Sequence, residues 1–165
     1  MQTVIFDLDG TLADTSGDLL AAANFCFEQM GHPELLTWPE DAATALRGGR
    51  AMLTLGLTRL GKFDQAVIDE FYPVFLQAYG ASIDRFTTFY PGALQAVQDL
   101  KSAGFKVGIC TNKPFALAED LMIRMGQRAL FDSLIGADNL PVRKPDPAPF
   151  FEAVRQAGGR PEKAF

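Results

Sequence analysis

Two carboxylates, Asp7 and Asp9, directly follow an apolar stretch near the start of the chain. The stretch Val4-Ile5-Phe6 does not alternate with polar residues, which predicts a buried strand of a parallel sheet. Ligands of open α/β sheets bind at the carboxyl ends of the strands, where both carboxylates would lie. Residues two apart on an extended backbone point to the same side, so both can face one ligand. Gly10 then favours a turn whose backbone amides come close to that ligand.

The pair of carboxylates does not by itself define a chemistry, because Asp-x-Asp-Gly is also a common surface turn. A calcium loop begins in the same way, but it needs a third acidic or Asn residue two positions on and a Glu at its twelfth position. Thr11 and Asp18 occupy those two positions, and a predicted strand precedes the loop where a calcium loop would have a helix. We therefore set calcium aside.

Three segments, in order along the chain, resemble motifs of the haloacid dehalogenase superfamily of phosphotransferases. They are Asp7-Leu8-Asp9-Gly10-Thr11-Leu12, Ile109-Cys110-Thr111-Asn112-Lys113 and Lys144-Pro145-Asp146-Pro147. The resemblance covers nearly the whole chain, with strand–loop–helix context at each motif. Within the superfamily, the phosphoglycolate-phosphatase-like members with a small helical cap are the most similar group.

The resemblance implies a phosphatase that works through an aspartyl-phosphate intermediate. Asp7 would be the nucleophile. Asp9 would be the general acid, which protonates the leaving oxygen and later activates water. Ion-pumping ATPases of the superfamily have Thr at the position of Asp9, and dehalogenases lack the Asp. The presence of Asp9 therefore favours release or transfer of phosphate.

The resemblance also implies a set of residues around the phosphate. Gly10, Thr111 and Asn112 would bind it, and Lys144 would neutralise the charge of the phosphate and Asp7. On their own, Thr111 and Asn112 would be an ordinary strand end, and Lys144 a solvated loop residue. We expect Lys113 to be exposed to solvent.

Two carboxylates facing a dianionic phosphate require a cation, and Mg²⁺ prefers oxygen ligands. The resemblance implies that Asp7 and Asp9 bind it, Asp9 through its backbone carbonyl. An acidic residue of the family's fourth motif, Gly-Asp-x-x-x-Asp, would complete the site, but this motif does not occur in the 165 residues. If the chain is active without it, Asp138 or Asp146 would have to bind the metal instead.

Arg47 and Arg50 flank two glycines in the segment Arg47-Gly48-Gly49-Arg50. Two guanidinium groups on a flexible turn could bind a small carboxylated substrate such as phosphoglycolate and determine specificity. The alternative is a turn between two helices with exposed arginines, and the sequence supports both interpretations equally.

Composition limits the partners. The net charge of −5 argues against a nucleic acid or an anionic membrane. No apolar run reaches the length of about 20 residues that a membrane span needs. The two cysteines, Cys26 and Cys110, lie in separate predicted elements and indicate reduced thiols of a cytoplasmic protein. We expect a monomer or homodimer whose partner is a small phosphorylated metabolite.

The periodicity of apolar residues predicts an α/β protein with a parallel sheet, interrupted by an all-helical block. The resemblance implies that these are a Rossmann-like core and an inserted all-helical cap domain. Residues 1–14 and 86–165 would form the core, and residues 15–85 the cap, because four helical patterns separate the two α/β regions. Thr15 and Asp18 resemble a capping box at the start of the first helix. Pro73 should kink or restart the last cap helix.

The fourth motif of the family would follow the last residue of this sequence. In the resembled family a strand begins near Phe165 and lies beside the first strand. We expect a fragment, or a partner that supplies the remainder, with an open edge on the first strand. The alternatives to a phosphatase are a β-phosphoglucomutase-like phosphoryl transferase, a pyrophosphatase, or a non-catalytic binding protein if the chain truly ends at Phe165.

Overall fold

The computed structural model describes residues 2–165, which divide into two compact units. One unit comprises residues 2–14 and 89–165, and the other comprises Thr15–Thr88. The strands are β1 (Thr3–Phe6), β2 (Ala13–Asp14), β3 (Thr88–Phe89), β4 (Lys106–Cys110) and β5 (Ser133–Ile135). The helices are α1 (Ser16–Gln29), α2 (Ala42–Ala45), α3 (Gly49–Arg59), α4 (Gln65–Ala81), α5 (Ala93–Ser102), α6 (Phe115–Arg124) and α7 (Ala148–Gln156). Short 3₁₀ helices cover Arg128–Leu130 and Pro161–Lys163.

The first unit contains a parallel sheet with the strand order β1-β4-β5. Val4 pairs with Val107 on β4, and Ile109 pairs with Leu134 on β5. The central strand β4 is buried from Val107 onwards, which explains why its sequence is continuously apolar and not alternating. The prediction of an α/β fold with a parallel sheet is confirmed.

Helix α7 covers the sheet and contacts all three of its strands. Its fully buried residues Ala153 and Val154 face the strands, and Ala153 packs against Cys110 and Ile135. The Ser133 hydroxyl donates a hydrogen bond of 2.7 Å to the Ala153 carbonyl, which ties the helix to β5. Because these contacts fix the carboxyl ends of β4 and β5, they also fix the loops that follow them.

Ala164 and Phe165 pair with β1, at the place where the resemblance puts a strand. The Phe165 N–H donates to the Thr3 carbonyl at 2.9 Å, and the Phe165 carbonyl accepts from the Ile5 N–H at 2.8 Å. Ala164 forms a parallel bridge with Thr3. The expectation of an open edge on the first strand is therefore wrong at these residues, because their backbone groups already have partners.

The second unit is helical, and α1 contacts α2, α3 and α4 within it. Its core includes large, fully buried side chains such as Phe27, Leu53 and Tyr79. Helix α3 approaches α1 closely at Gly56, where an added Cβ would lie only 2.2 Å from the Phe27 ring. A glycine is therefore required at this contact between the helices. No helix within residues 2–165 is long and apolar enough to cross a membrane.

The Thr15 side chain makes no capping hydrogen bond to α1, so the predicted capping box of Thr15 and Asp18 is not formed. Asp18 serves a different purpose. Its buried carboxylate accepts hydrogen bonds from the backbone N–H groups of Phe86 and Thr87 and from the Thr87 hydroxyl, at 2.7–3.0 Å. A pattern of local spacing cannot reveal partners 68 and 69 residues away. Asp18 thus connects the first helix of the unit to its last residues.

Pro73 lies inside α4, which continues from Gln65 to Ala81 without a restart. Of the two predicted outcomes, a kink or a restart, the continuous helix excludes the restart, and the kink stays a prediction. The helix buries Ile68 on one side of the proline and Phe75 and Tyr79 on the other, so packing on both sides outweighs the lost backbone donor.

Candidate active site

The carboxylates of Asp7 and Asp9 lie in the tight loop that follows β1. The Leu8 carbonyl accepts hydrogen bonds from the N–H groups of Thr11, Leu12 and Ala13, which folds the loop back on itself. Leu8 is fully buried between the two acids, whereas the Asp7 side chain is 41% exposed. Gly10 adopts a φ of +78°, which only glycine reaches without strain, and so allows the turn.

Thr111 and Asn112 follow β4, the neighbour of β1 in the sheet. Thr111 is buried, and its N–H donates to the Ile135 carbonyl at 2.9 Å, so the backbone stays attached to β5. The Asn112 side chain donates a hydrogen bond of 3.1 Å to the Lys144 carbonyl. The second sequence motif therefore contacts the third directly, through an amide side chain.

Lys144 connects the loop after β5 to Asp7. Its ammonium group lies 3.0 Å from the Asp7 carboxylate and donates a 2.8 Å hydrogen bond to the Cys110 carbonyl. The structure thus brings three sequence-predicted residues together, Asp7 and Lys144 by direct contact and Asn112 through the Lys144 backbone. An ammonium beside a partly exposed carboxylate can bind an anion that approaches that carboxylate.

Lys113 is not exposed, contrary to the prediction. Its side chain is only 4% exposed, and its ammonium group lies 2.8 Å from the Asp9 carboxylate. A lysine is almost never buried unless it is paired, and the pair with Asp9 explains its position. The residue's place in Thr111-Asn112-Lys113 was the only signal in the sequence, because a lysine before a proline in a loop normally faces solvent.

The thiol of Cys110 lies in the same region, at the end of β4. Burial raises its pKa, and the negative charge of Asp7 raises it further, while the positive charge of Lys144 acts in the opposite direction. The net effect is upward, so the thiol stays protonated near neutral pH. Cys110 is therefore a packing residue and not a nucleophile.

Asp7 and Asp9 offer the donor chemistry that Mg²⁺ requires, since carboxylate and carbonyl oxygens are hard ligands. Within residues 2–165, however, no group of three or more His, Cys, Asp or Glu side chains is arranged to bind a metal ion. The Asp138 carboxylate accepts a hydrogen bond of 2.7 Å from the Phe115 N–H, and the Asp146 carboxylate accepts one of 2.8 Å from the Ala148 N–H. The two acids therefore bind backbone donors at the first residues of α6 and α7. Asp7 and Asp9 therefore remain the predicted magnesium ligands.

Arg47 and Arg50 belong to the helical unit. Arg47 is exposed in the turn between α2 and α3. Arg50 lies in the first turn of α3, where its guanidinium is 2.6 Å from the Asp69 carboxylate and 4.4 Å from the centre of the Tyr72 ring. Arg50 therefore already has an anionic and an aromatic partner on α4, which the sequence did not predict.

Comparisons with known proteins agree with this architecture. The model of a haloacid dehalogenase-like hydrolase family matches residues 1–165. A phosphoglycolate phosphatase of Cereibacter sphaeroides is 37% identical over 151 residues, covering 90% of this chain and 68% of the relative. A phosphoglycolate phosphatase of Caulobacter vibrioides is 36% identical over 165 residues, covering 98% and 68%.

Solved structures show the same fold. The crystal structure of a predicted phosphoglycolate phosphatase from Haemophilus somnus 129PT matches with a TM-score of 0.81 at 24% identity, covering 99% of this chain and 75% of that one. A haloacid dehalogenase-like family protein from Streptococcus pneumoniae matches with a TM-score of 0.78 at 21% identity, covering 99% and 73%.

Proposed function

Because the chain belongs to the haloacid dehalogenase-like hydrolase family, we propose that it is a Mg²⁺-dependent phosphatase. It hydrolyses a small phosphorylated metabolite, of the phosphoglycolate type, through an aspartyl-phosphate intermediate. The observation that carries this proposal is the contact of 3.0 Å between the Lys144 ammonium and the Asp7 carboxylate at the carboxyl edge of the sheet. The names of the relatives in Cereibacter and Caulobacter support the substrate class.

Asp7 is the nucleophile in this proposal. A carboxylate oxygen attacks the phosphorus atom, and the bond from phosphorus to the leaving oxygen breaks. The Leu8 N–H donates a 2.8 Å hydrogen bond to Asp7 Oδ1, and Lys144 contacts the same oxygen. These two donors hold the carboxylate in place, so its other oxygen has a defined direction for attack.

Asp9 is the general acid and base. Its carboxyl group gives a proton to the leaving oxygen and then takes one from the water that hydrolyses the phosphoenzyme. Its position two residues after Asp7 in the same loop supports this role, with Leu8 fully buried between the two acids.

The phosphate is bound by donors from several loops. The Thr111 side chain and the Lys144 ammonium are the proposed contacts, and Asn112 holds the loop of Lys144 in position. The Gly10 N–H, which the resemblance assigned to the phosphate, already donates a 2.9 Å hydrogen bond to the Ala13 carbonyl, so Gly10 contributes the turn and not this donor. A positive charge placed where negative charge develops stabilises the transition state. When bound by Asp7 and Asp9, Mg²⁺ would neutralise phosphate charge and orient the phosphoryl group.

The helical unit supplies specificity in this proposal. Arg47 and Arg50 are the proposed specificity residues; Arg47 is exposed, whereas Arg50 is paired with Asp69 and would have to leave it to bind a substrate anion. A cytoplasmic location fits the two cysteines, Cys26 and Cys110, which are both buried free thiols.

The test is phosphate release from a panel of esters with and without Mg²⁺. The panel holds phosphoglycolate, an aryl phosphate, a sugar phosphate and pyrophosphate. We expect Mg²⁺-dependent hydrolysis, with phosphoglycolate among the best substrates by kcat/KM. The proposal would be refuted if pyrophosphate were the one substrate of the panel that is hydrolysed, or if no substrate were hydrolysed in the presence of Mg²⁺. The Asp99→Asn variant, which changes an exposed acid of α5, should match the wild type.

A further inference from the structure

Lys113 forms the more deeply buried of the two lysine–aspartate pairs in the α/β unit's site. Its side chain is 4% exposed and that of Asp9 is 14% exposed, against 29% for Lys144 and 41% for Asp7. A charged side chain loses its hydration when it is buried, so it must recover that free energy from its partner. The attraction between the Lys113 ammonium and the Asp9 carboxylate therefore stabilises the buried position of the lysine.

The backbone around Lys113 is also fixed on both sides. Its N–H donates to the Thr111 hydroxyl at 3.1 Å, and its carbonyl accepts from the Ala137 N–H at 2.9 Å. Gly136 packs so closely here that an added Cβ would lie 2.4 Å from the Phe115 nitrogen and 2.9 Å from the Lys113 carbonyl. Since the main chain cannot shift, the lysine stem can reach only a narrow region, which contains Asp9.

Each of the two lysines pairs with a different carboxylate of the loop after β1. Lys144 contacts Asp7 and the Cys110 carbonyl, whereas Lys113 contacts Asp9. We propose that Lys113 is a positioning residue, which holds Asp9 in the geometry for proton transfer and acts on the reaction only through Asp9. This inference rests on the proposed function, because it needs Asp9 to be the general acid and base.

The chemistry follows from where Lys113 binds. It holds Oδ1 of Asp9, which directs the other carboxyl oxygen. As the bond from phosphorus to the leaving oxygen breaks, the Asp9 carboxyl gives its proton to that oxygen. The Asp9 carboxylate then takes a proton from water, whose oxygen bonds to phosphorus while the bond from phosphorus to Asp7 breaks. Lys113 keeps its own protons throughout, and its contribution is orientation.

A rival role for Lys113 is a direct contact with the phosphate. The two roles differ in what happens when Asp9 cannot transfer protons. If Lys113 only positions Asp9, removing the lysine from the Asp9→Asn variant should not lower kcat any further. A phosphate ligand still binds the substrate, so its loss raises KM in both backgrounds. A double-mutant cycle separates these cases.

The experiment measures kcat and KM for wild type, Lys113→Met, Asp9→Asn and the double variant, on an alkyl phosphate and on an aryl phosphate with a good leaving group. We expect Asp9→Asn to lower kcat by roughly 10²–10⁴-fold. Lys113→Met should lower kcat on the alkyl ester by about 10–10²-fold, the loss that a misplacement of about 1 Å can cause, with KM nearly unchanged. The loss should be smaller on the aryl ester, whose leaving oxygen needs less protonation. In the Asp9→Asn background, Lys113→Met should have no further effect.

Lys106→Met is the matched control, because Lys106 also pairs with a carboxylate, Asp132, but at the amino end of β4. It should leave both kinetic constants unchanged. Thermal unfolding checks that each variant folds. If Lys113→Met does not fold, Lys113→Arg replaces it, with a smaller loss of kcat that again disappears beside Asp9→Asn.

Equal losses in both backgrounds, or a rise in KM with kcat unchanged, would overturn the positioning role. Wild-type turnover in Asp9→Asn alone would instead refute the proposed role of Asp9 and, with it, this inference. That outcome does not involve a Lys113 variant, so the two failures can be told apart.

Discussion

Each carboxylate of the loop after β1 contacts its own lysine, and this pairing governs the charge of the proposed site. The protein carries a net charge of −5, so a phosphate must be bound where positive charge is concentrated. Lys144 supplies positive charge 3.0 Å from Asp7, whereas Lys113 lies 2.8 Å from Asp9 and balances the charge of that carboxylate. Because both ion pairs are partly or fully shielded from water, salt screens them less than surface pairs.

At the residue scale, Asp7→Asn should abolish formation of the phosphoenzyme, because an amide is a poor nucleophile. The measurement is acid quenching during turnover of a ³²P-labelled substrate, followed by detection of label on the protein. The wild type should carry label, and the variant none. Wild-type turnover by Asp7→Asn would contradict the assignment of the nucleophile.

At the element scale, Asp18 holds together two distant parts of the helical unit. It lies in the first turn of α1 and binds residues 86 and 87 at the other end of the unit's sequence. The carboxylate is buried, and so is Thr87, whose N–H and hydroxyl both donate hydrogen bonds to it. An acid at this position therefore has a structural purpose that is separate from the acids after β1.

Asp18→Ala should lower the free energy of unfolding by on the order of 3 kcal/mol, since each unsatisfied buried donor costs about 1–3 kcal/mol. Urea denaturation measures the change. Glu28→Ala is the control, because Glu28 is exposed on the same helix and its loss should change stability by less than about 0.5 kcal/mol. Equal stability of the two variants would mean that the Asp18 contacts contribute nothing.

At the scale of the whole molecule, ion pairs that lower carboxyl pKa values make stability depend on acid pH. The hydrogen bond from Arg59 lowers the pKa of the buried Asp41 carboxyl, with a further contribution from the Thr37 N–H, although burial opposes the shift. Arg155 and then Gln156 lower the pKa of Glu152 to about 2. A carboxyl whose pKa is lower in the folded state stabilises the protein above its unfolded pKa, and this stabilisation is lost as pH falls through the folded pKa.

We therefore expect the free energy of unfolding to decrease as pH falls below about 4, the ordinary range of Asp and Glu carboxyls. Asp41→Asn should reduce stability at pH 7 and flatten the pH dependence below pH 4, because it removes one of these groups. Urea denaturation at several pH values between 3 and 7 tests this, with Glu70→Gln, an exposed acid of α4, as the control. Parallel curves for wild type and Asp41→Asn would contradict the expectation.

The sequence by itself determined the family, the α/β fold class and the order of most elements, all of which the structure and the relatives confirm. It could do so because apolar periodicity and short motifs are local properties of the chain. The strand Val4–Phe6 and the strand before Thr111 were both predicted from unbroken apolar runs. The second is buried from Val107 onwards, whereas Val4–Phe6 are only partly buried. The roles of Asp7, Asp9 and Lys144 stay predictions that the proposed kinetics will test.

Only the tertiary structure decided which distant residues meet. It buries Lys113 against Asp9, connects Asp18 to Thr87, pairs Phe165 with β1 and occupies Arg50 with Asp69. It also carries α4 through Pro73. Each of these outcomes depends on packing or on charges that are far apart in sequence. A local pattern reports what a segment prefers alone, whereas the free energy of the folded chain is set by the partners that the fold brings to it.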